Sequence, residues 1–172
     1  MTVGVLFIST GGICRAPMAA SVFRTFARRG NIEHLFEVAA VGTFDGHAGE
    51  QPSLLAREVT ERRGYAFDAA PVKPLRSDDL ARYHHVIAMD RTILAALRWM
   101  APAGCTDRPQ LLMRHVEQAR VVDIVDPYGG SVGEYARALD LIEKGCAGLM
   151  MTIVQALRGA AGSRPTPRKA GD

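Results

Sequence analysis

The strongest constraint on the fold is the alternation of strand-like and helix-like segments along most of the chain. Apolar runs rich in β-branched residues predict four strands, at 3–8, 36–41, 85–89 and 121–125. Each run is followed by apolar residues at helical spacing, and the last helix is predicted over about 132–157. The sequence therefore predicts a small doubly wound α/β domain: a four-stranded parallel sheet of flavodoxin-like order 2-1-3-4 with helices on both faces.

Composition predicts one ordinary globular domain. The chain has 172 residues, 48% of them apolar and 23% charged, which is enough for one core without disulfides or a structural metal. We assign residues 1–158 to this domain and 159–172 to a flexible basic tail. Arg164, Arg168 and Lys169 of that tail supply part of the net charge of +3, so we expect no nucleic-acid partner.

Several further classes are disfavoured by the sequence. No apolar run reaches the length of a membrane span and no basic leader precedes the first strand, so we expect a cytoplasmic protein without a membrane partner. The spacing of Cys14, Cys105 and Cys146 to each other and to the histidines does not fit a zinc site. We expect neither a metal nor another cofactor.

The loop after the first strand is the candidate site, because ligands of such sheets bind beyond the carboxyl ends of the strands. Small residues at 9–12 can direct successive backbone N–H groups at one anion, and the following helix adds positive potential there. Arg15 could add a bidentate contact to phosphate oxygens. On these residues alone, a tight turn with Arg15 in solvent is an equally good interpretation.

Residues 5–19, VLFISTGGICRAPMA, resemble the C-x5-R-S/T-P signature of the low-molecular-weight protein tyrosine phosphatases. The resemblance continues, in the family's order, at 41–43, 47–49, 88–90 and 126–128. It implies a phosphorylated protein as partner and assigns roles to particular residues. The implied phosphate-binding residues are Thr10, Gly11, Gly12, Ile13, Cys14 and Arg15; Arg15 and Asp126 are the implied catalytic clamp and general acid; His47 and Tyr128 are the implied cleft residues.

The chain departs from the family at the position of the nucleophile, where Ser9 replaces the cysteine. A cysteine beside a helix N-terminus and an arginine can be a thiolate at neutral pH, whereas a serine hydroxyl needs an adjacent base. The loop supplies no such base. Cys14 matches the family's second loop cysteine, which cannot form its protective disulfide with Ser9, and we expect it to be a small buried hydrophobic residue.

Three other positions differ as well. The family's asparagine in the loop is Gly12, which can keep the same left-handed backbone, and the serine or threonine after the arginine is Ala16. Gly46 replaces the aromatic residue that precedes the histidine in many relatives, and Phe44 could compensate for it. His47 is interpreted as a structural hydrogen-bonding residue rather than a catalyst.

The leading hypothesis is therefore a phosphatase-family protein that has lost most or all hydrolysis and still binds phosphotyrosine or another phosphorylated group. The alternative is an active protein tyrosine phosphatase, represented here by a Cys-to-Ser variant or turning over slowly through Ser9. An arsenate reductase ranks low because it needs a cysteine at position 9. A partner-binding role with an idle pocket is the remaining hypothesis.

Overall fold

The computed structural model of the chain describes residues 2–162. It contains one sheet of four parallel strands in the order β2-β1-β3-β4, which confirms the predicted fold class and strand order. The strands are β1 (Val3–Ser9), β2 (Phe36–Gly42), β3 (His85–Ala88) and β4 (Pro109–Leu111). Every residue of β1 is buried, as a central strand covered on both faces requires.

Helices cover both faces of this sheet. They are α1 (Arg15–Arg29), α2 (Leu54–Arg62), α3 (Ser77–Arg82), α4 (Arg91–Met100) and α5 (Val132–Gly162), with short 3-10 helices at Glu33–Leu35 and Leu112–His115. The sequence pattern predicted neither α3 nor the 3-10 helices. Helix α1 begins at Arg15, ahead of Pro17, the residue expected to open it. Asp90 caps α4 as predicted, since its carboxylate accepts a hydrogen bond from the Ile93 N–H.

The predicted fourth strand at 121–125 is wrong. This segment has no regular secondary structure, and the fourth strand is β4, whose Pro-Gln-Leu sequence carries no apolar run. Among the described residues, the one backbone hydrogen bond of segment 121–125 toward the sheet is donated by the Ile124 N–H to the Met89 carbonyl, just beyond the end of β3. Val121 and Val125 are exposed, so their strand propensity is overridden by tertiary context.

The apolar stripe predicted for the last helix is confirmed. Its members are all buried: Tyr135, Leu139, Ile142, Cys146, Leu149 and Ile153. The helix extends to Gly162, so the first residues of the predicted tail continue α5. The rest of that tail lies outside the described residues. No helix within residues 2–162 combines the length and the apolarity needed to span a bilayer.

Candidate functional site

The loop that joins β1 to α1 is shaped by two glycines in close contact. Gly12 has φ +64, which confirms the left-handed backbone expected there. A Cβ atom at Gly12 would lie 2.6 Å from the amide nitrogen of Gly42, at the end of β2. An asparagine at position 12, as in the family's loop, would therefore require the two backbone segments to move apart.

The backbone carbonyls of this loop are hydrogen-bonded to neighbouring segments, whereas within residues 2–162 its backbone N–H groups are not. The carbonyls of Ser9, Thr10 and Ile13 accept hydrogen bonds from the backbone N–H groups of Thr43, Phe44 and Ser53. Among the hydrogen bonds of the described residues, none has a backbone N–H of residues 10–15 as its donor. The loop thus fixes its carbonyls to the neighbouring segments and leaves a run of N–H donors for an anion.

The Arg15 side chain lies beneath this loop and is 1% exposed, which excludes the interpretation of a solvated arginine. Its Nη1 donates to the Asp90 carboxylate and to the Ile124 carbonyl, both at 2.7 Å. Its Nη2 lies 3.3 Å from both Thr10 Oγ1 and the Asp126 carboxylate. Nε is buried and has no hydrogen-bond partner among the described residues. The guanidinium is therefore fixed in place with a donor left over.

Ser9 ends β1 at the base of the loop, 2% exposed. Its Oγ accepts a hydrogen bond of 3.3 Å from the Ala16 N–H at the start of α1. That is the only hydrogen bond of the Ser9 hydroxyl among the described residues, and no carboxylate or imidazole is close enough to take its proton. The hydroxyl is therefore positioned as an acceptor and is not activated as a nucleophile.

The Cys14 thiol contacts a side chain of α5. Its Sγ lies 3.3 Å from the Tyr135 hydroxyl, which in turn lies 3.1 Å from Ser53 Oγ. Burial raises the pKa of the Cys14 thiol, and it raises that of Tyr135 to about 12. The expected burial of Cys14 is confirmed, since the residue is 2% exposed. Sequence patterns identified Tyr135 as core only, since nothing in them showed its hydroxyl meeting the loop.

A cavity of about 100 Å³ opens above the loop. It is lined by Ser9, Thr10, Gly11, Ile13, Cys14, Phe44, His47, Asp126 and Tyr128. Most of the residues that the sequence assigned to the site therefore meet at one place. Gly12 and Arg15 do not line the cavity, because Gly12 packs against Gly42 and Arg15 lies below the loop.

Three rings form one wall of this cavity. The His47 ring lies between Phe44 and Tyr128, with centroid distances of 6.2 and 5.4 Å. The ring of Phe44 covers Gly46, since a Cβ there would lie 2.1 Å from a Phe44 ring carbon. Phe44 thus occupies the space that a side chain at position 46 would need. His47 Nδ1 pairs with the Glu50 carboxylate at 3.0 Å, as expected of a structural residue.

Asp126 stands at the mouth of the cavity, with 40% of its side chain exposed. Its Oδ1 accepts from the Tyr128 N–H at 3.2 Å, while Oδ2 faces Arg15. Asp90 and Ile124, which hold the other side of the guanidinium, were not identified from the sequence as site residues. Within residues 2–162 no cluster of His, Cys, Asp or Glu is suited to a metal ion.

The environment of Cys14 predicts slow alkylation. The thiolate is the reactive form, and a raised pKa leaves less of it at pH 8. We expect iodoacetamide to label Cys105, which is partly exposed, before Cys14 and the buried Cys146, as read by peptide mass spectrometry. Labelling of Cys14 ahead of Cys105 in the natural chain would contradict this prediction and identify Cys14 as an activated thiol.

Comparisons with known proteins were consistent with this geometry. The sequence model of a family described as low molecular weight phosphotyrosine protein phosphatase matches residues 4–159. The low molecular weight protein-tyrosine-phosphatase YfkJ of Bacillus subtilis is 32% identical over 88% of this chain and 96% of its own length. A low molecular weight protein-tyrosine-phosphatase of Streptomyces coelicolor is also 32% identical, over 94% of this chain and 99% of its own.

Solved structures show the same architecture. The crystal structure of YfkJ from Bacillus subtilis superposes with a TM-score of 0.85 at 31% identity, covering 91% of this chain and 97% of that one. A protein tyrosine phosphatase from Entamoeba histolytica superposes with a TM-score of 0.86, covering 91% of this chain and 99% of that chain. Its 24% identity makes it a likeness of fold.

Proposed function

This chain belongs to the low-molecular-weight phosphotyrosine protein phosphatase family, and from that premise we propose that it binds phosphorylated protein while hydrolysing it little or not at all. The phosphate would sit in the loop of residues 10–15, against the free N–H donors and the buried Arg15. The observation that carries the proposal is that the Ser9 hydroxyl, at the base of this loop, has no hydrogen bond to a base among the described residues.

Binding and catalysis depend on different atoms of this site. The amide donors and the guanidinium attract a dianion whatever residue occupies position 9. Attack on phosphorus needs a deprotonated nucleophile, and among the described residues no group accepts a hydrogen bond from the Ser9 hydroxyl. A neutral hydroxyl also removes the charge repulsion that a thiolate would exert on the phosphate. Retained binding with lost turnover follows from these two facts.

The phosphorylated residue best suited to the cavity is tyrosine. The wall of Phe44, His47 and Tyr128 offers ring faces and edges to an aromatic side chain. Phe44 covering Gly46 supports the role expected of it, as the replacement for the aromatic residue that precedes the histidine in relatives.

A second candidate function is an active phosphatase, and the position of Asp126 favours it. Its carboxylate lines the same cavity as Ser9 and faces Arg15 below the loop, where a proton could be given to a departing tyrosine oxygen. In this alternative, the protein is a Cys-to-Ser variant or turns over slowly through Ser9. Hydrolysis of para-nitrophenyl phosphate by the natural chain, abolished in Ser9→Ala, would support it.

Equilibrium binding tests the proposed function directly. We expect inorganic phosphate and a phosphotyrosine peptide to bind the natural chain in calorimetry, and Arg15→Lys to weaken both by about tenfold because lysine lacks the planar fork. Arg24→Lys is the matched control, since Arg24 also lies on α1 and bonds backbone carbonyls away from the loop. No phosphate-dependent signal in the natural chain would overturn the proposal.

A further inference from the structure

A second concavity adjoins the candidate site on the far side of Asp126. It has a volume of about 250 Å³ and lies between residues 121–127 and the first turns of α5. Its apolar floor includes Val121, Val125, Ala138 and Leu141. We name this concavity the Val125 groove, because Val125 is 79% exposed there.

Aliphatic surface of this kind is costly to leave in water. Val121 is 47% exposed and Val125 79%, in a run whose composition predicted a buried strand. Burying such carbon against an aliphatic ligand side chain is favourable by roughly 25 cal/mol for each Å² removed from water. The groove therefore suits an aliphatic group.

The Val125 groove adjoins the cavity above the loop of residues 9–14, which we name the anion cavity. Asp126 lines both, and no other residue does. Because Asp126 separates the two, the groove lies within reach of a residue next to a phosphorylated side chain that enters the anion cavity. Resting on the proposed function, we propose that the Val125 groove binds an aliphatic residue adjacent to phosphotyrosine, with an acidic residue beside it contacting Arg137.

Three carboxylates and one guanidinium line the groove, those of Asp123, Asp126, Glu134 and Arg137. The Asp123 carboxylate is held by Arg91 through both oxygens, and this pairing lowers its pKa. The Glu134 carboxylate accepts hydrogen bonds from Ser131, which lower its pKa. Asp126, the third acid, accepts from the Tyr128 N–H and faces Arg15, so all three carboxylates of the lining have partners within the chain.

Arg137 differs from these acids. It lines the groove and makes no hydrogen bond and no ion pair within 4 Å among the described residues, although it lies near enough to Glu134 to lower the pKa of that carboxyl. Arg137 is therefore the one charged group of the groove lining with no bonded partner among the described residues. A carboxylate next to the aliphatic residue would complement it.

The wall of the groove is held in place before any ligand binds. The Ile124 N–H donates to the Met89 carbonyl, and the Ile124 carbonyl accepts from Arg15. The Arg91–Asp123 ion pair fastens the segment on the other side. A fixed wall lowers the ordering cost of binding. Arg15, which would hold the phosphate, therefore also supports the groove through its hydrogen bond to the Ile124 carbonyl.

Peptide binding by fluorescence anisotropy tests the proposal. The probe is a labelled phosphotyrosine peptide with Leu and Glu on both sides of the phosphotyrosine, compared with peptides carrying Ser for Leu or Gln for Glu. We expect the Ser peptide to bind the natural chain about fivefold more weakly. We expect the Gln peptide to bind about threefold more weakly, because it lacks the charge that Arg137 recognises.

Variants of the protein test which residues of the groove cause these peptide preferences. Val125→Ser should remove the preference for Leu, and Arg137→Gln should remove the preference for Glu, while free phosphotyrosine binds both variants as it binds the natural chain. Arg98→Gln is the matched control, because Arg98 is an exposed arginine on α4 outside the groove.

Two results would overturn the proposal in distinguishable ways. If free phosphotyrosine binds and all peptides bind equally to the natural chain and its variants, the groove has no role and the proposed function stands. If neither inorganic phosphate nor free phosphotyrosine binds, the proposed function fails and the groove proposal fails with it.

Discussion

Ser9→Cys is expected to hydrolyse para-nitrophenyl phosphate faster than the natural chain by at least about a hundredfold, a modest part of what loss of a nucleophile costs other hydrolases. The new thiol would take the place of the Ser9 hydroxyl, within reach of the Ala16 N–H at the start of α1. The N–H donors of residues 10–15 and the helix N-terminus would lower its pKa and supply a thiolate at neutral pH. Asp126 already lines the same cavity as residue 9, and its carboxylate faces Arg15.

The controls for this gain separate its possible sources. Ser9→Ala should be inactive, and adding Asp126→Asn to Ser9→Cys should reduce the rate, since the leaving oxygen would lose its proton donor. Adding Ala16→Ser should raise it further if a hydroxyl at position 16 supports the thiolate. If Ser9→Cys binds phosphate but does not hydrolyse para-nitrophenyl phosphate, then the residues at Gly12 and Ala16 also disable catalysis.

Gly148→Ala is expected to destabilise the protein by about 3 kcal/mol, the upper end of the range for overpacking. A Cβ at Gly148 would lie 1.9 Å from the His115 carbonyl oxygen and 2.7 Å from its carbon. These are backbone atoms of the 3-10 helix that packs under α5, so rotation of a side chain cannot relieve the overlap. Helix α5 or the 3-10 helix at Leu112–His115 would therefore have to shift.

Gly133→Ala is the control for this stability effect. It lies on the same helix, and its nearest neighbours would be side-chain atoms at 3.6 and 3.7 Å from the new Cβ. We expect it to be neutral or stabilising, because alanine favours helix over glycine by up to about 1 kcal/mol. Urea unfolding followed by circular dichroism gives both values. Equal unfolding free energies for the two variants would contradict the packing described for α5.

The strand order could be predicted from the sequence, but the identity of its last strand could not. Alternation of apolar runs and helical spacing is a local property, and it is preserved in β1, β2 and β3. The fourth strand is Pro109–Leu111, which has no recognisable pattern, while the valine-rich run at 121–125 lies outside the sheet. Pairing with a neighbouring strand decides this, and no single segment encodes it.

The residues of the candidate site could likewise be predicted only in part from the sequence. The resemblance in residues 5–19 identified Ser9, Arg15 and the loop between them, and the pattern at 126–128 identified Asp126. Asp90, Ile124 and Tyr135 were missed as site residues, because each meets the loop only through long-range contacts. The Val125 groove was missed for a related reason: a valine's exposure depends on which segment is taken into the sheet.

The sequence by itself determined the fold class, the position of the candidate loop and the serine at position 9, since all three follow from residue types and their spacing. Only the tertiary structure decided that the loop's N–H donors have no acceptor within residues 2–162, that Arg15 is buried, and that Cys14 contacts the Tyr135 hydroxyl. Those properties depend on which distant groups come within hydrogen-bond distance, and packing alone brings them there.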